Sequence, residues 1–343
     1  MAASARRAAS WLLSGRVPKG LTGRATGANS RAVLPDPTTS SPLRLGSRGS
    51  PLARAQTDLV AAALAAAGRS STALTVETLG DRVRDRPLAD LGGKAVWTKE
   101  LDAALHDRRI DAAVHSLKDV ETRLPEGLVL VAVLPRADPR DRLIGAKGLS
   151  GLPAGAQVGT SSPRRAAQLR RHRPDLCPVL LRGNVATRLA RVAEGAVHAT
   201  FLAAAGLDRL GVEAGVPLPV EEWLPAAAQG IVGITARADD EVTLGALSAI
   251  DHGPTHLAAI AERAVLEGIG GSCRTAIAVH ARPRAGDNWR LEAELMSPDG
   301  ADCVPAGMEG QVRSADDARA LAARVVEVLR AEMTDAIRAS LEA

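Results

Sequence analysis

From Leu43 onward the chain alternates short apolar or β-branched runs with longer segments whose apolar residues recur at helical spacing, and few folds accept that alternation. It points to α/β units built on parallel sheets with helices on their faces. The pattern predicts strands at 43–46, 72–79, 110–117, 157–160, 179–182, 198–203 and 231–236. Helices are expected at 51–67, at 98–108, from Arg164 and from Thr187, the first capped by Ser50 and opened by Pro51. Beyond Pro254 the pattern changes to a helix at 257–266, strands near 276–281 and 289–296, and one closing helix over 315–341. A length of 343 residues exceeds the usual size of one core, and the Pro-rich, charged stretch Pro135 to Arg142 reads as a crossover between units. The expected organisation is a leader at 1–41 outside the fold, a first domain of 42–136 with 231–251, a second of 140–227, and a third of 254–343.

The formal charge of +4 is held unevenly. Residues 1–41 carry Arg6, Arg7, Arg16, Lys19, Arg24 and Arg31 against Asp36 alone, which leaves the rest of the chain slightly acidic. A nucleic-acid role calls for a basic body and stacking aromatics, yet there is one Phe and no Tyr. An Arg-rich, acid-poor leader is what an organelle transit peptide looks like, and a mis-called start codon looks the same. The expected compartment is a bacterial-type cytoplasm, with a plastid or mitochondrion as the alternative if residues 1–41 are a transit peptide. No uninterrupted apolar run reaches the length of about 18 residues that suggests a membrane span. Cys177, Cys273 and Cys303 show neither CxxC nor Cys/His spacing, so neither a disulfide framework nor a metal is expected.

Several residues occupy positions where α/β proteins do chemistry. Lys118 and Asp119 fall at the carboxyl end of a predicted strand, where ligand crevices of open sheets lie. Asp119 as an anion would steady a cation formed on a substrate; a helix cap or an ion pair with Lys118 is its other reading. Ser161, Ser162 and Pro163 precede a helix that begins with Arg164 and Arg165. A helix start already attracts anions, and two guanidiniums there disfavour the macrodipole unless an anion is bound, so the pair reads as a carboxylate or phosphate clamp. Arg182 is expected to close a strand, Arg188 to open the next helix, and Arg48 and Arg209 to sit on loops, all facing one crevice. Cys273, in the glycine-rich run Gly268 to Arg274, is either an accessible thiol or a buried small hydrophobe.

These segments, in order, resemble the signature blocks of porphobilinogen deaminases. The resemblance rests on Leu43 to Ala53 with Gln56, Gly80-Asp81, Gly92-Gly93-Lys94, Thr98-Lys99-Glu100-Leu101, and Ala113-Val114-His115-Ser116-Leu117-Lys118-Asp119-Val120. It continues through Gly159-Thr160-Ser161-Ser162 before Arg164-Arg165, Leu181-Arg182-Gly183-Asn184 with Thr187-Arg188-Leu189, and Ala203 to Leu207 before Arg209. Gln229-Gly230 and Ala261-Glu262-Arg263 before Gly271-Ser272-Cys273 complete it. The resemblance implies two domains like type II periplasmic binding proteins with an active-site cleft between them, and a small α+β third domain that supplies Cys273. It implies a dipyrromethane cofactor held covalently through Cys273, onto which four porphobilinogen units are joined head to tail to hydroxymethylbilane with loss of ammonia. By the same resemblance Asp119 is the catalytic acid; Lys118, Thr160, Ser162, Arg164, Arg165 and Arg188 contact the cofactor. Arg48, Ser50, Lys94, Arg182 and Arg209 contact substrate, and the enzyme is a monomer. Departures occur at Asp90, Trp97, Glu121, Pro163 and Ala276, where the family commonly has other residues. The rival expectation is a non-catalytic anion-binding module of the same fold type, which needs no primed thiol.

Overall fold

The computed structural model describes residues 41–78, 98–272 and 274–342, so the leader up to residue 40, Asp90, Lys94, Trp97 and Cys273 lie outside the described residues. Three sheets organise the chain. The first contains β1 (Leu43–Ser47), β2 (Ser71–Thr75), β3 (Ala112–Ser116), β4 (Leu128–Val133) and β10 (Val232–Arg237), in the order β2-β1-β3-β10-β4. β1 runs parallel to β2 and β3, whereas β10 lies antiparallel between β3 and β4. The second contains β5 (Asp141–Ile144), β6 (Gln157–Thr160), β7 (Cys177–Leu180), β8 (Ala199–Ala203) and β9 (Val216–Pro217), in the order β7-β6-β8-β5-β9. It repeats the plan of the first, with β6 parallel to β7 and β8, and β5 antiparallel to β8 and β9. In each sheet the antiparallel strand is the one the chain enters after crossing over from the other sheet. Two crossovers, β4 to β5 and β9 to β10, therefore tie the two units together.

The helices cover these sheets because their apolar faces need burial. In the first unit Val60 and Leu64 of α1 (Pro51–Ala66) pack on Leu45, Val114 and Ile234, while α2 (Lys99–His106) buries Leu101 and Leu105. In the second, α3 (Pro163–His172) sends Leu169 into a core with Val158, Phe201 and Trp223, whose rings stack at 4.8 Å. α4 (Val185–Ala193), α5 (Ala204–Arg209) and α6 (Glu241–Ser248) complete the two units. The third unit is an antiparallel sheet of β11 (Ile277–Pro283), β12 (Asn288–Met296) and β13 (Cys303–Gln311), covered by α7 (Gly253–Gly268) and α8 (Ala315–Ala331) and followed by α9 (Asp335–Glu342). Among the described residues no helix is long and apolar enough to cross a membrane.

The mixed α/β expectation holds, with local corrections. The strand expected at 179–182 is β7 and stops at Leu180, so Arg182 lies beyond it. The single closing helix is two, because Thr334 turns its hydroxyl to Asp302 (2.6 Å) and accepts from the Ile337 amide, restarting the chain as α9. β13, whose Pro- and Gly-bearing run falls outside every element the sequence pattern predicts, pairs with β12 along its whole length. Arg209 ends α5 instead of lying on a loop.

Glu262, wholly buried on α7, fastens the third unit to both crossovers. Its carboxylate takes Arg136 of the first crossover at 2.6 Å, the Ala228 amide of the second at 2.5 Å, and the Ala281 amide of β11 at 2.7 Å. Where the crossovers pass, the Ala137 amide donates to the Gly230 carbonyl. Gly230 has φ +87, and a Cβ there would stand 2.5 Å from the Ala137 oxygen, so only glycine fits.

Burial alone would push the Glu262 carboxyl up, but Arg136 and His280 hold it below its ordinary 4.5. A folded pKa below the unfolded one adds stability that is present above the unfolded value and lost as pH falls through it toward the folded value. Urea unfolding should therefore show stability falling below about pH 5. Glu262→Ala, which leaves Arg136 buried and unpaired, should cost about 3–5 kcal/mol at neutral pH.

Candidate active site

The amino ends of the helices in the second unit and the strand ends of the first face each other. β3 ends at Ser116, and the following 3-10 turn, Leu117–Asp119, leaves Lys118 half-buried and Asp119 exposed. The Ser116 hydroxyl is held by the Gln56 side-chain amide at 2.8 Å, and the carbonyls of Val120 and Thr122 accept from Arg263 of α7. The third unit thereby grips the backbone that follows Asp119. Ser50 caps α1 by accepting from the Ala53 amide, and half-buried Arg48 sits between β1 and that cap, its charge felt by buried His115.

On the opposite wall, Thr160 ends β6 and accepts from the Ser162 amide, while Ser162 caps α3. Asn184 caps α4 by accepting from the Thr187 amide, which brings Arg188 onto the first turn. Arg188 donates to the Gly183 carbonyl at 3.0 Å and to Ser161 Oγ at 3.3 Å. Burial lowers the Arg188 pKa to about 10, with Arg165 and Arg182 pushing the same way and Asp119 opposing them. These four charges, one from the first unit and three from the second, thus share one electrostatic space. Arg209 donates to the Gly230 carbonyl at 2.7 Å, linking α5 to the second crossover.

The expectation of an open clamp at Arg164 and Arg165 is corrected. Both guanidiniums are buried and turned onto Asp141 at the start of β5. Arg164 Nη2 meets Asp141 Oδ2 at 2.8 Å, with Nη1 on the Leu224 carbonyl and Gln168. Arg165 Nη2 and Nε meet Oδ1 and Oδ2 at 2.7 and 3.1 Å, with Nη1 on the Phe201 carbonyl. The anion that the helix start requires is a carboxylate of the chain itself. Burial would raise the Asp141 pKa, but Arg165 and Arg164 drive it well below 3.8. Trp223 Nε1 (3.0 Å) and Gln229 Nε2 (2.9 Å) complete its shell. Asp141, and the pairing of Gln229 with it, escape a sequence reading because nothing in the linear order says that a crossover aspartate faces a helix more than twenty positions on.

What remains open to a ligand is cationic. Lys118, Arg182 and Arg188 are half-buried cations, and Arg182 Nη1 is buried without a hydrogen-bond partner. Burial pushes Lys118 down to about 8 even though Asp119 favours its charged form. Such a donor set fits a ligand with several carboxylates, including a dipyrromethane with its acetate and propionate groups. Among the described residues no group of three or more His, Cys, Asp or Glu is placed to hold a metal.

Comparison with known proteins agrees with this geometry. Residues 43–245 match the family model "Porphobilinogen deaminase, dipyromethane cofactor binding domain", and residues 256–331 match "Porphobilinogen deaminase, C-terminal domain". A porphobilinogen deaminase of Sphingopyxis alaskensis is 57% identical over 78% of this chain and 88% of its own length. That of Paracoccus denitrificans is 46% identical over 87% of this chain and 96% of its own. A chloroplastic one from Oryza sativa subsp. japonica is 47% identical over 76% of this chain and 75% of its own.

Unfolding measurements should separate the two kinds of arginine. Arg164→Ala strips a buried carboxylate of one partner and should cost about 3–5 kcal/mol. Arg188→Ala, at the cleft edge, should cost less than about 1 kcal/mol.

Proposed function

The chain belongs to the porphobilinogen deaminase family, and from that premise we propose that the cleft between its two five-stranded units is where porphobilinogen is condensed, with Asp119 as the catalytic carboxylate. The enzyme is a transferase of tetrapyrrole biosynthesis whose first matched region is the dipyrromethane-binding domain. The proposal assigns attachment of that cofactor to Cys273, which is the cysteine of the Gly271-Ser272-Cys273 block. The domain scheme follows from it: 42–136 with 231–251, 140–227, and 254–343. The observation that carries the reading is the convergence of Asp119 with Lys118, Arg165, Arg182 and Arg188 in one electrostatic space between the two units.

When bound, a dipyrromethane supplies the free pyrrole carbon that accepts the next substrate. Lys118, Arg182 and Arg188 hold the carboxylates of successive rings, Arg165 adds its charge from behind, and Arg48, Ser50, Lys94 and Arg209 receive the incoming substrate. Thr160 and Ser162 fix the backbone at the start of α3, where amide donors face the cleft. Loss of ammonia leaves a positive charge spread over the substrate's pyrrole. Exposed at the end of its turn, Asp119 offsets that charge as it develops, which lowers the barrier. The surrounding cations offset the mutual repulsion of the ligand carboxylates. The proposal includes a monomer acting in a reducing, cytoplasm-type compartment, which three separated cysteines suit.

Intact-mass measurement tests the assignment of Cys273. Protein isolated in active form should carry the added mass of a dipyrromethane, and Cys273→Ser should carry none; an unmodified mass in active protein would sink the assignment, whereas folded, inactive protein of unmodified mass would favour an anion-binding module. Asp119→Ala should keep the fold and lose at least about a hundredfold in kcat. Full turnover in that variant overturns the role of Asp119.

A further inference from the structure

A buried chain of polar groups crosses from one wall of the cleft to the other without touching the space between. Lys118 Nζ donates to Gln229 Oε1 at 3.0 Å. The amide of Gln229 is itself buried, and its Nε2 donates to the Pro139 carbonyl at 2.7 Å and to Asp141 Oδ1 at 2.9 Å. Every hydrogen-bonding group of that amide has a partner, and the partners fix which way it points. A flip would set Oε1 against a carboxylate and a carbonyl and Nε2 against an ammonium, three repulsive contacts in place of three attractive ones. The same carboxylate receives Arg165 and Arg164 of α3.

We propose that Asp141 is a positioning residue for the condensation: through the Gln229 amide it fixes Lys118 on one wall of the cleft, and directly it fixes Arg165 on the other, so one buried carboxylate sets the spacing of the cations that hold the ligand. The inference rests on the reading of Lys118 as a contact of the cofactor and of Arg165 as a charge behind it. Its physical basis is that a carboxylate with no water must satisfy all its lone pairs from protein donors. Arg165 and Gln229 therefore cannot shift without leaving it unpaired, and Lys118 cannot shift without stranding Gln229 Oε1. Reaction across a cleft is sensitive to small misplacement of the reacting groups, so loosening the relay should act on kcat more than on KM.

The charges that face the Lys118 ammonium are Asp119, Arg165, Asp141 and Arg164, which makes its titration a reporter of the relay. The chain has only five lysines, Lys19, Lys94, Lys99, Lys118 and Lys147, so the holoenzyme labelled with 13C at lysine Cε should give resolvable titrations. The signal lost in Lys118→Arg identifies the residue, expected to titrate near 8 from the protein's own groups alone and higher where ligand carboxylates face it. Gln229→Leu removes the acceptor, and Asp141→Asn removes the favourable charge; each should move the Lys118 midpoint to lower pH. Each should also reduce kcat about tenfold or more while KM changes little. Asp175→Asn is the control, since that carboxylate pairs with Arg173 and does not face Lys118; its lysine titration should stay in place. Should Asp141→Asn fail to fold, Gln229→Leu decides alone. Folded Gln229→Leu with Lys118 titrating as in the unaltered protein, or with unaltered kcat, overturns the proposal. The dipyrromethane mass is read on the same samples: an adduct present with an unmoved titration defeats this inference alone, whereas an adduct absent from the active, unaltered protein defeats the Cys273 assignment.

Discussion

The Asp141 carboxylate, sealed from water between two guanidiniums, is the interaction on which the cleft's geometry depends. Removing a carboxylate and two guanidiniums from water is costly, and the cost is recovered only where geometry is good and every polar atom is served. That condition binds the start of β5, the first turn of α3, Trp223 and the second crossover into one arrangement. The stack of Trp223 on Phe201 supports it from below, which gives two of the chain's few aromatics a structural task.

Around this paired centre lies a region where the balance of charge is deliberately left open. Lys118 and Arg188 are both driven down by burial and by neighbouring cations, and Arg182 keeps an unpartnered buried nitrogen. Groups held so far from their ordinary titration are destabilised when the cleft has no anion and relieved when one enters. The repulsion among these cations and the repulsion among the carboxylates of a growing pyrrole chain are complementary. Each cancels the other on binding, and in the proposed function Asp119, exposed at the end of its turn, is the acid that partners the transient cation.

The third unit does more than cap the molecule. Glu262 ties α7 to both crossovers, and Arg263, its neighbour, holds the carbonyls that follow Asp119. α3 also packs beneath this unit, where Ala167 meets Ala276 and Met296 and where Gly300 comes within van der Waals reach of the helix backbone. The segment on either side of Cys273 is thus continuous, through rigid packing, with the helix whose first turn carries Arg165. With the proposed attachment at Cys273, the tethered ligand and the groups that receive it rest on the same framework.

The α/β class, most strand and helix positions and the family were legible in the linear order, because apolar periodicity and caps such as Ser50 and Ser162 are local properties of a chain. β13 was hidden, since its stability comes from its partner β12 and not from its own Pro- and Gly-bearing residues. The helix start at Arg164-Arg165 was correctly read as needing an anion, but which anion could not be read there. Only the packing of two crossovers placed Asp141 against that turn and Gln229 against Lys118. Sequence determined which groups carry charge and where elements begin; tertiary structure decided which charges neutralise one another, because pairing depends on distance in space and on exclusion of water, and neither is a property of sequence separation.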